Sequence, residues 1–288
     1  MEKQNEHKWV RLASILSVSV ALLLIILKTA AWFMTGSVSL LASLIDSTMD
    51  SLVSIINLLA IRYSLQPADE EHRFGHGKAE ALAGLAQAAF IAGSAAFLFL
   101  HAAERLYEPH EITHSDIGVA VMIVSIVMTL GLVVFQKIVV QRTGSTAIAA
   151  DSLHYVGDLL VNASIIVALL LGNFLWSGFD AVLGILISCY ILYNAWEIGE
   201  RSTQLLLDRE LGPDVWTFVE ELIAQHPEVK GHHELRTRES GFIQFFQLHL
   251  ELDKDMQLEK AHAITEDIEL KIKERYPNAD VLIHTDPV

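Results

Sequence analysis

Asp46 and Asp50 lie four residues apart in SLLASLIDSTMDSLVSIINLLAI, and His154 and Asp158 lie four apart in TAIAADSLHYVGDLLVNASIIVALLL. Residues at that spacing stand one above the other on a single helix face. Two such faces opposed make a cage of three carboxylates and one imidazole, a donor set that suits a tetrahedral first-row ion such as Zn²⁺. Both stretches are apolar enough to cross a bilayer, where an ionised Asp at a helix centre costs about 2.5 to 3.5 kcal/mol. Such acids are tolerable only beside a cavity or a counter-charge, so a cation must visit them. Asp151, seven residues before Asp158 and close to the end of its span, reads instead as an N-terminal acid stabilised by the helix dipole.

Two further clusters carry ligand types. In PADEEHRFGHGKAE, Asp69, His72 and His76 supply one carboxylate and two imidazoles within eight residues, and Gly75 and Gly77 let the backbone bend around an ion. Near the C-terminus stand His233, His249, His262, His284 and Asp286. His284 and Asp286 are two apart and share one face of a strand. Lys28, inside the first apolar run, either snorkels or lines a water-filled vestibule.

The elements that must position these residues are of two kinds. The 288 residues are 52% hydrophobic, outside the usual range for a soluble domain. The excess is confined to windows at Leu12 to Met34, Val38 to Ile61, Leu82 to Leu106, Ile117 to Val140, Ala147 to Leu171 and Ala181 to Leu207, each about 20 residues or more. The expectation is six transmembrane helices over residues 1–207, the first retained rather than cleaved. Residues 208–288 hold 9 Lys+Arg against 18 Asp+Glu and read as a separate aqueous domain. Its pattern predicts a helix from Asp214, strands over His233 to Ser240 and Phe242 to Asp253, a helix from Leu258 to Tyr276 and a strand over Asp280 to Asp286, an αββαβ order. Gly241 supports a tight hairpin, and both helices are expected on one face of a small mixed sheet.

Lys3, Lys8, Arg11, Arg62, Arg73, Lys78, Lys137 and Arg142 flank the spans on one side, which the positive-inside rule makes cytoplasmic, with both termini. A net charge of −15 without a dense Lys/Arg cluster argues against nucleic acid and suits cations. The single cysteine, Cys189, excludes an intrachain disulfide and a Cys-rich metal site.

Taken together, DSTMD with HYVGD, the loop Pro67 to Glu80, LLLDREL, HLELD and IHTDP resemble the cation diffusion facilitator family, specifically its bacterial ferrous-iron and zinc efflux branch, through nearly the whole chain. The resemblance implies a proton-coupled antiporter of the bacterial inner membrane that exports divalent cations, Zn²⁺ and also Cd²⁺ or Fe²⁺. It implies a transport site at Asp46, Asp50, His154 and Asp158, a second metal site at Asp69, His72 and His76, and a metallochaperone-like cytoplasmic domain. In that domain a structural binuclear zinc pair bridged by Asp286 would sit among His233, His249, His262 and His284 and support a homodimer. It also implies a Lys78–Asp208 salt bridge at the membrane surface.

Two other readings compete. A metal-gated membrane sensor would use the same residues but move no ion. An intramembrane metalloprotease is disfavoured because no HExxH is present and four protein ligands leave no open position for an activated water.

Overall fold

The computed structural model describes the backbone of residues 2–35, 38–107, 116–171 and 179–288, with side chains over 7–34, 41, 43–45, 47–104, 120–163 and 181–288. Among the described residues the chain forms two compact units, one of residues 1–65 with 79–203, the other of 66–78 with 204–288.

The first unit is helical: α1 (Glu2–Thr35), α2 (Val38–Ser64), α3 (Lys78–Tyr107), α4 (Asp116–Thr143), α5 (Thr146–Leu171) and α6 (Phe179–Leu206). Five of these, all but α5, contain described stretches long and apolar enough to cross a membrane. α5, with 26 residues, is about 39 Å long, more than a hydrocarbon core is thick. α1 begins well before the apolar window, because Glu2–Arg11 holds no Gly or Pro to stop a helix that hydropathy alone would start at Leu12.

The start of α5 is closely held. Gly144, at φ 67, ends α4 in the left-handed conformation and donates its N–H to the Val140 carbonyl. The Ser145 hydroxyl then accepts the Ile148 N–H, a helix N-cap. Buried Glu80 of α3 accepts the Thr146 and Ala147 N–H groups, so two more of the orphan donors of α5 are paired.

One turn further on, Asp151 is not at a wet boundary, as its place in the sequence predicts, but fully buried. Its Oδ2 accepts 2.6 Å hydrogen bonds from Ser17 of α1 and Gln136 of α4, while Oδ1 has longer 3.4 Å contacts from Ser54 of α2 and Gln87 of α3. Ser54 and Ser17 also meet the Tyr155 hydroxyl. Five helices therefore converge on one carboxylate. Burial without these donors would be prohibitive, and with them the acid knots the bundle together.

The second unit adds α7 (Pro213–Ile223), β1 (Gly231–Ser240), β2 (Ile243–Leu252), α8 (Leu258–Arg275) and β3 (Ala279–Pro287), the αββαβ order expected. β1 and β2 pair antiparallel, β2 and β3 parallel. Val219, Leu222, Phe246, Leu248, Leu250, Ile268 and Ile272 form its core, with both helices on one face of the sheet. Gly241, at φ 60 between the paired Ser240 and Ile243, makes the two-residue hairpin turn. In β1 the register slips by one residue between His233 and Arg236, a bulge with Glu234 at φ 51.

Residues 66–78 pack on this hairpin. Phe74 meets Phe245 edge-on at 5.7 Å, and the Arg238 guanidinium lies over both rings, 5.1 and 4.4 Å from their centroids. A side chain at Gly77 would come within 2.4 Å of the Ser240 carbonyl, so this glycine is required by the hairpin's approach. α6 ends in a Schellman motif, with Arg209 N–H on the Gln204 carbonyl and Asp208 at φ 56. From that position Asp208 pairs with Lys78 at 3.0 Å, as expected, and with Arg238 at 3.2 Å. Partial burial opposes ionisation of Asp208, but the hydrogen bonds from Lys78 and Arg238 outweigh it and hold the carboxyl below its usual range.

Two predictions follow from these contacts. Asp151→Ala strands the Ser17 and Gln136 donors in the interior and should cost about 3 kcal/mol, read as a lowered midpoint of thermal unfolding in detergent, with Asp151→Asn losing less. Because the folded pKa of Asp208 is depressed, its stabilising contribution is present above the ordinary Asp value and lost as pH falls below about 4. The stability difference between wild type and Asp208→Asn should therefore vanish there, which a pH series of unfolding midpoints checks.

Candidate metal centre

Among the described residues, three groups of His and Asp side chains each bring one ligand atom per residue within 4.8 Å of one another. The first is Asp50, His154 and Asp158, where α2 passes α5. His154 Nε2 is 3.0 Å from Asp50 Oδ1 and 3.8 Å from Asp158 Oδ2. The i,i+4 spacing on α5 sets His154 and Asp158 on one face, and the Asp151 knot fixes that helix one turn below. Asp46 lies one turn before Asp50 on α2; its side chain is outside the described residues.

A cavity of about 150 Å³ opens beside this group, lined by Asp50 and Asp158 together with Lys28, Ser47, Thr129 and Asn162. Lys28 is thus a vestibule residue, and its Nζ donates to the Ser47 hydroxyl at 2.6 Å and the Ser43 carbonyl at 3.2 Å. The cavity lies toward the C-terminal ends of α1 and α5. On the other side of His154 stand the buried Ser17, Ser54 and Asp151, with Tyr155 between them and the cavity that it also lines.

The second group is Asp69, His72 and His76. Asp69 Oδ1 accepts the N–H groups of Glu71 and His72 at 2.9 and 2.6 Å, and its Oδ2 lies 3.3 Å from His76 Nε2. The His72 N–H, above all, holds this carboxyl below its usual range; burial opposes it and the Glu71 N–H adds to it. Gly75, at φ 78, turns the chain between the two histidines.

The third group is His233, His249 and Asp286 on the sheet face opposite the helices. His233 pairs in register with His249, and His249 with His284, so three imidazoles form a row across three strands. Asp286 Oδ2 accepts from His249 Nδ1 at 2.9 Å and lies 3.3 Å from His233 Nε2, while its Oδ1 faces His284 Nε2 at 3.3 Å. The hydrogen bond from His249 is the main reason its carboxyl titrates low, burial opposing it. The two oxygens facing different imidazoles are the arrangement a bridging carboxylate needs, and the donor set fits Zn²⁺. His262 is exposed on α8 and stands outside this group among the described residues.

Glu251 escaped the sequence reading: its Oε1 is 3.3 Å from His233 Nδ1. The signal was there, since Glu251 is two residues from His249 and shares its face. Strict alternation along β1 would set His233 on the core face with Leu235 and Thr237; the bulge returns it to the face of His249.

Residues 14–207 match the family described as Cation efflux transmembrane domain, and residues 213–288 match Cation efflux protein, cytoplasmic domain. The chain is 49% identical over 280 residues to the Cation-efflux pump FieF of Shewanella oneidensis, covering 97% of this chain and 95% of that protein. It is 48% identical over 281 residues to the Cation-efflux pump FieF of Serratia proteamaculans, covering 96% and 93%. Among solved structures, the metal-bound C-terminal domain of the CzcD transporter from Thermotoga maritima is 28% identical, covering 26% of this chain and 87% of that one, with a TM-score of 0.25. The cytosolic domain of a cation diffusion facilitator family protein is 26% identical, covering 26% and 90%, also at 0.25.

His249→Ala combined with His284→Ala should lower the zinc bound per chain and weaken self-association, measured by metal analysis and analytical ultracentrifugation of the fragment Pro213–Val288. Zinc content equal to the wild-type fragment would remove the sheet site.

Proposed function

The chain belongs to the cation diffusion facilitator family of cation-efflux transporters, and we propose that it exports Zn²⁺, with Cd²⁺ and Fe²⁺ as further substrates, in exchange for protons. The observation that carries this is the convergence of Asp50, His154 and Asp158 beside a cavity within a helical bundle. One carboxylate more, Asp46, completes a four-ligand site of the type a tetrahedral divalent ion prefers.

Proton exchange follows from the same atoms. A proton on His154 Nε2, donated to Asp50, and a metal ion on that nitrogen exclude each other. Loading must therefore move protons off the ligands, and unloading must return them. Alternating access supplies direction: with the cavity on one side of His154 and the Asp151 knot closing the other, this conformation is one of the two end states of such a cycle.

In this reading residues 1–207 carry transport and residues 208–288 form the cytoplasmic domain, which holds structural zinc and joins two copies into a homodimer. The loop metal group of residues 66–78 packs within the same compact unit as the cytoplasmic domain. Both termini face the cytoplasm of a bacterium, and the helices span its inner membrane.

The test is metal uptake into proteoliposomes with an imposed pH gradient, zinc and protons being recorded together. Zinc entry should drive protons outward. Asp50→Ala should abolish uptake, and His154→Ala should weaken binding and flatten its dependence on pH between about 7.5 and 5.5, the range around the ordinary His value. Zinc flux with no opposing proton flux would make the protein a channel, and no flux with an occupied site would make it a sensor.

A further inference from the structure

Among the described residues lining the cavity beside Asp50 and Asp158, Lys28 is the only Lys or Arg. It comes from α1, which supplies no member of the Asp50–His154–Asp158 group, and it is partly buried. Its ammonium is not spread toward a membrane surface but fixed inside the bundle. The Ser47 hydroxyl accepts from it at 2.6 Å, one helical turn before Asp50, and the Ser43 carbonyl at 3.2 Å, one turn further back. α2 thus presents Ser43 and Ser47 to Lys28 and, on the next turn, Asp50 to the ion.

A cation in this position opposes the chemistry of the site. Carboxylates gather positive charge, and a tethered ammonium sharing their cavity repels any divalent ion that occupies it. The cavity is small, about 150 Å³, so the two charges interact through little intervening water. Tight binding alone would not help an exporter, because an ion that binds too well leaves too slowly. We propose that Lys28 is a release-determining residue: its fixed charge weakens metal binding at Asp50, His154 and Asp158 in the conformation described, and so speeds discharge of the ion into the cavity.

This rests on the assignment of the transport site above, and it predicts opposite signs for affinity and turnover. Lys28→Met keeps the unbranched stem of the side chain, one atom shorter, and deletes the charge; Lys28→Gln deletes the charge and keeps a donor; Lys28→Arg keeps the charge. The measurements are Zn²⁺ titration of the full chain carrying Asp69→Ala, His233→Ala and His249→Ala, so that loop and tail ligands do not contribute, and Zn²⁺ flux of the same proteins in vesicles. The Met and Gln variants should bind Zn²⁺ at least about tenfold more tightly and turn over at least about tenfold more slowly, while Arg stays near the parent. If Lys28 only props α1 against α2, Met and Gln will weaken binding and flux together, and unchanged or weaker affinity in both overturns the proposal. Asp50→Asn in the same background separates the two levels: undiminished Zn²⁺ affinity there would overturn the site assignment, whatever the Lys28 variants do.

Discussion

A carboxylate taken out of water must be given something positive to face, and most of the helical unit follows from how that demand is met. Asp151 is met permanently: Ser17, Ser54, Gln87 and Gln136, from four different helices, supply donors that never leave. Asp50 and Asp158 are met provisionally, by His154 and by whatever enters the cavity. The first arrangement gives rigidity, and the second gives exchange. The two turns of α5 between Asp151 and Asp158 let one helix be both anchored and responsive.

The order of elements was legible because hydrophobic runs and period-two alternation are set by burial, which sequence records directly. The i,i+4 pair His154 and Asp158 on α5 was legible for the same reason, as spacing along one helix dictates a shared face. What neighbouring helices present to that face is not written in the spacing. Asp151 illustrates the limit: its own segment offers only a helix dipole, while its actual partners lie 15 to 134 residues away. Gln87 and Gln136, amides inside apolar spans, were the available sign that some buried acceptor needed them. His262 had the right chemistry but sits on an exposed helix face, a distinction that residue type does not carry.

The loop bearing Asp69, His72 and His76 shows a different limit. Gly75 does turn the chain there, but Gly77 is needed because the Ser240–Gly241 turn presses against it. The adjoining Asp208 takes up a left-handed conformation that costs a non-glycine residue of order 1 kcal/mol, and in doing so places its carboxylate between Lys78 and Arg238. Backbone strain at the end of α6 is offset by electrostatic contacts with both the loop and the hairpin. Asp69, His72 and His76 are thereby held as part of a folded unit rather than as a free connector.

The bulge in β1 makes the imidazole row vulnerable in an unusual manner. His233 faces His249 because the extra residue, Glu234, is taken up as a bulge in a left-handed conformation; were the strand to run straight with the same residues, strict alternation would turn His233 to the core face of Leu235. Deleting Glu234 would remove the bulge and leave His233 on the face of His249, since neighbours on a regular strand point to opposite faces. A substitution that disfavours the left-handed conformation at position 234 is the more damaging change. The imidazole row could thus be lost in a descendant of this protein that keeps every histidine and every position in an alignment.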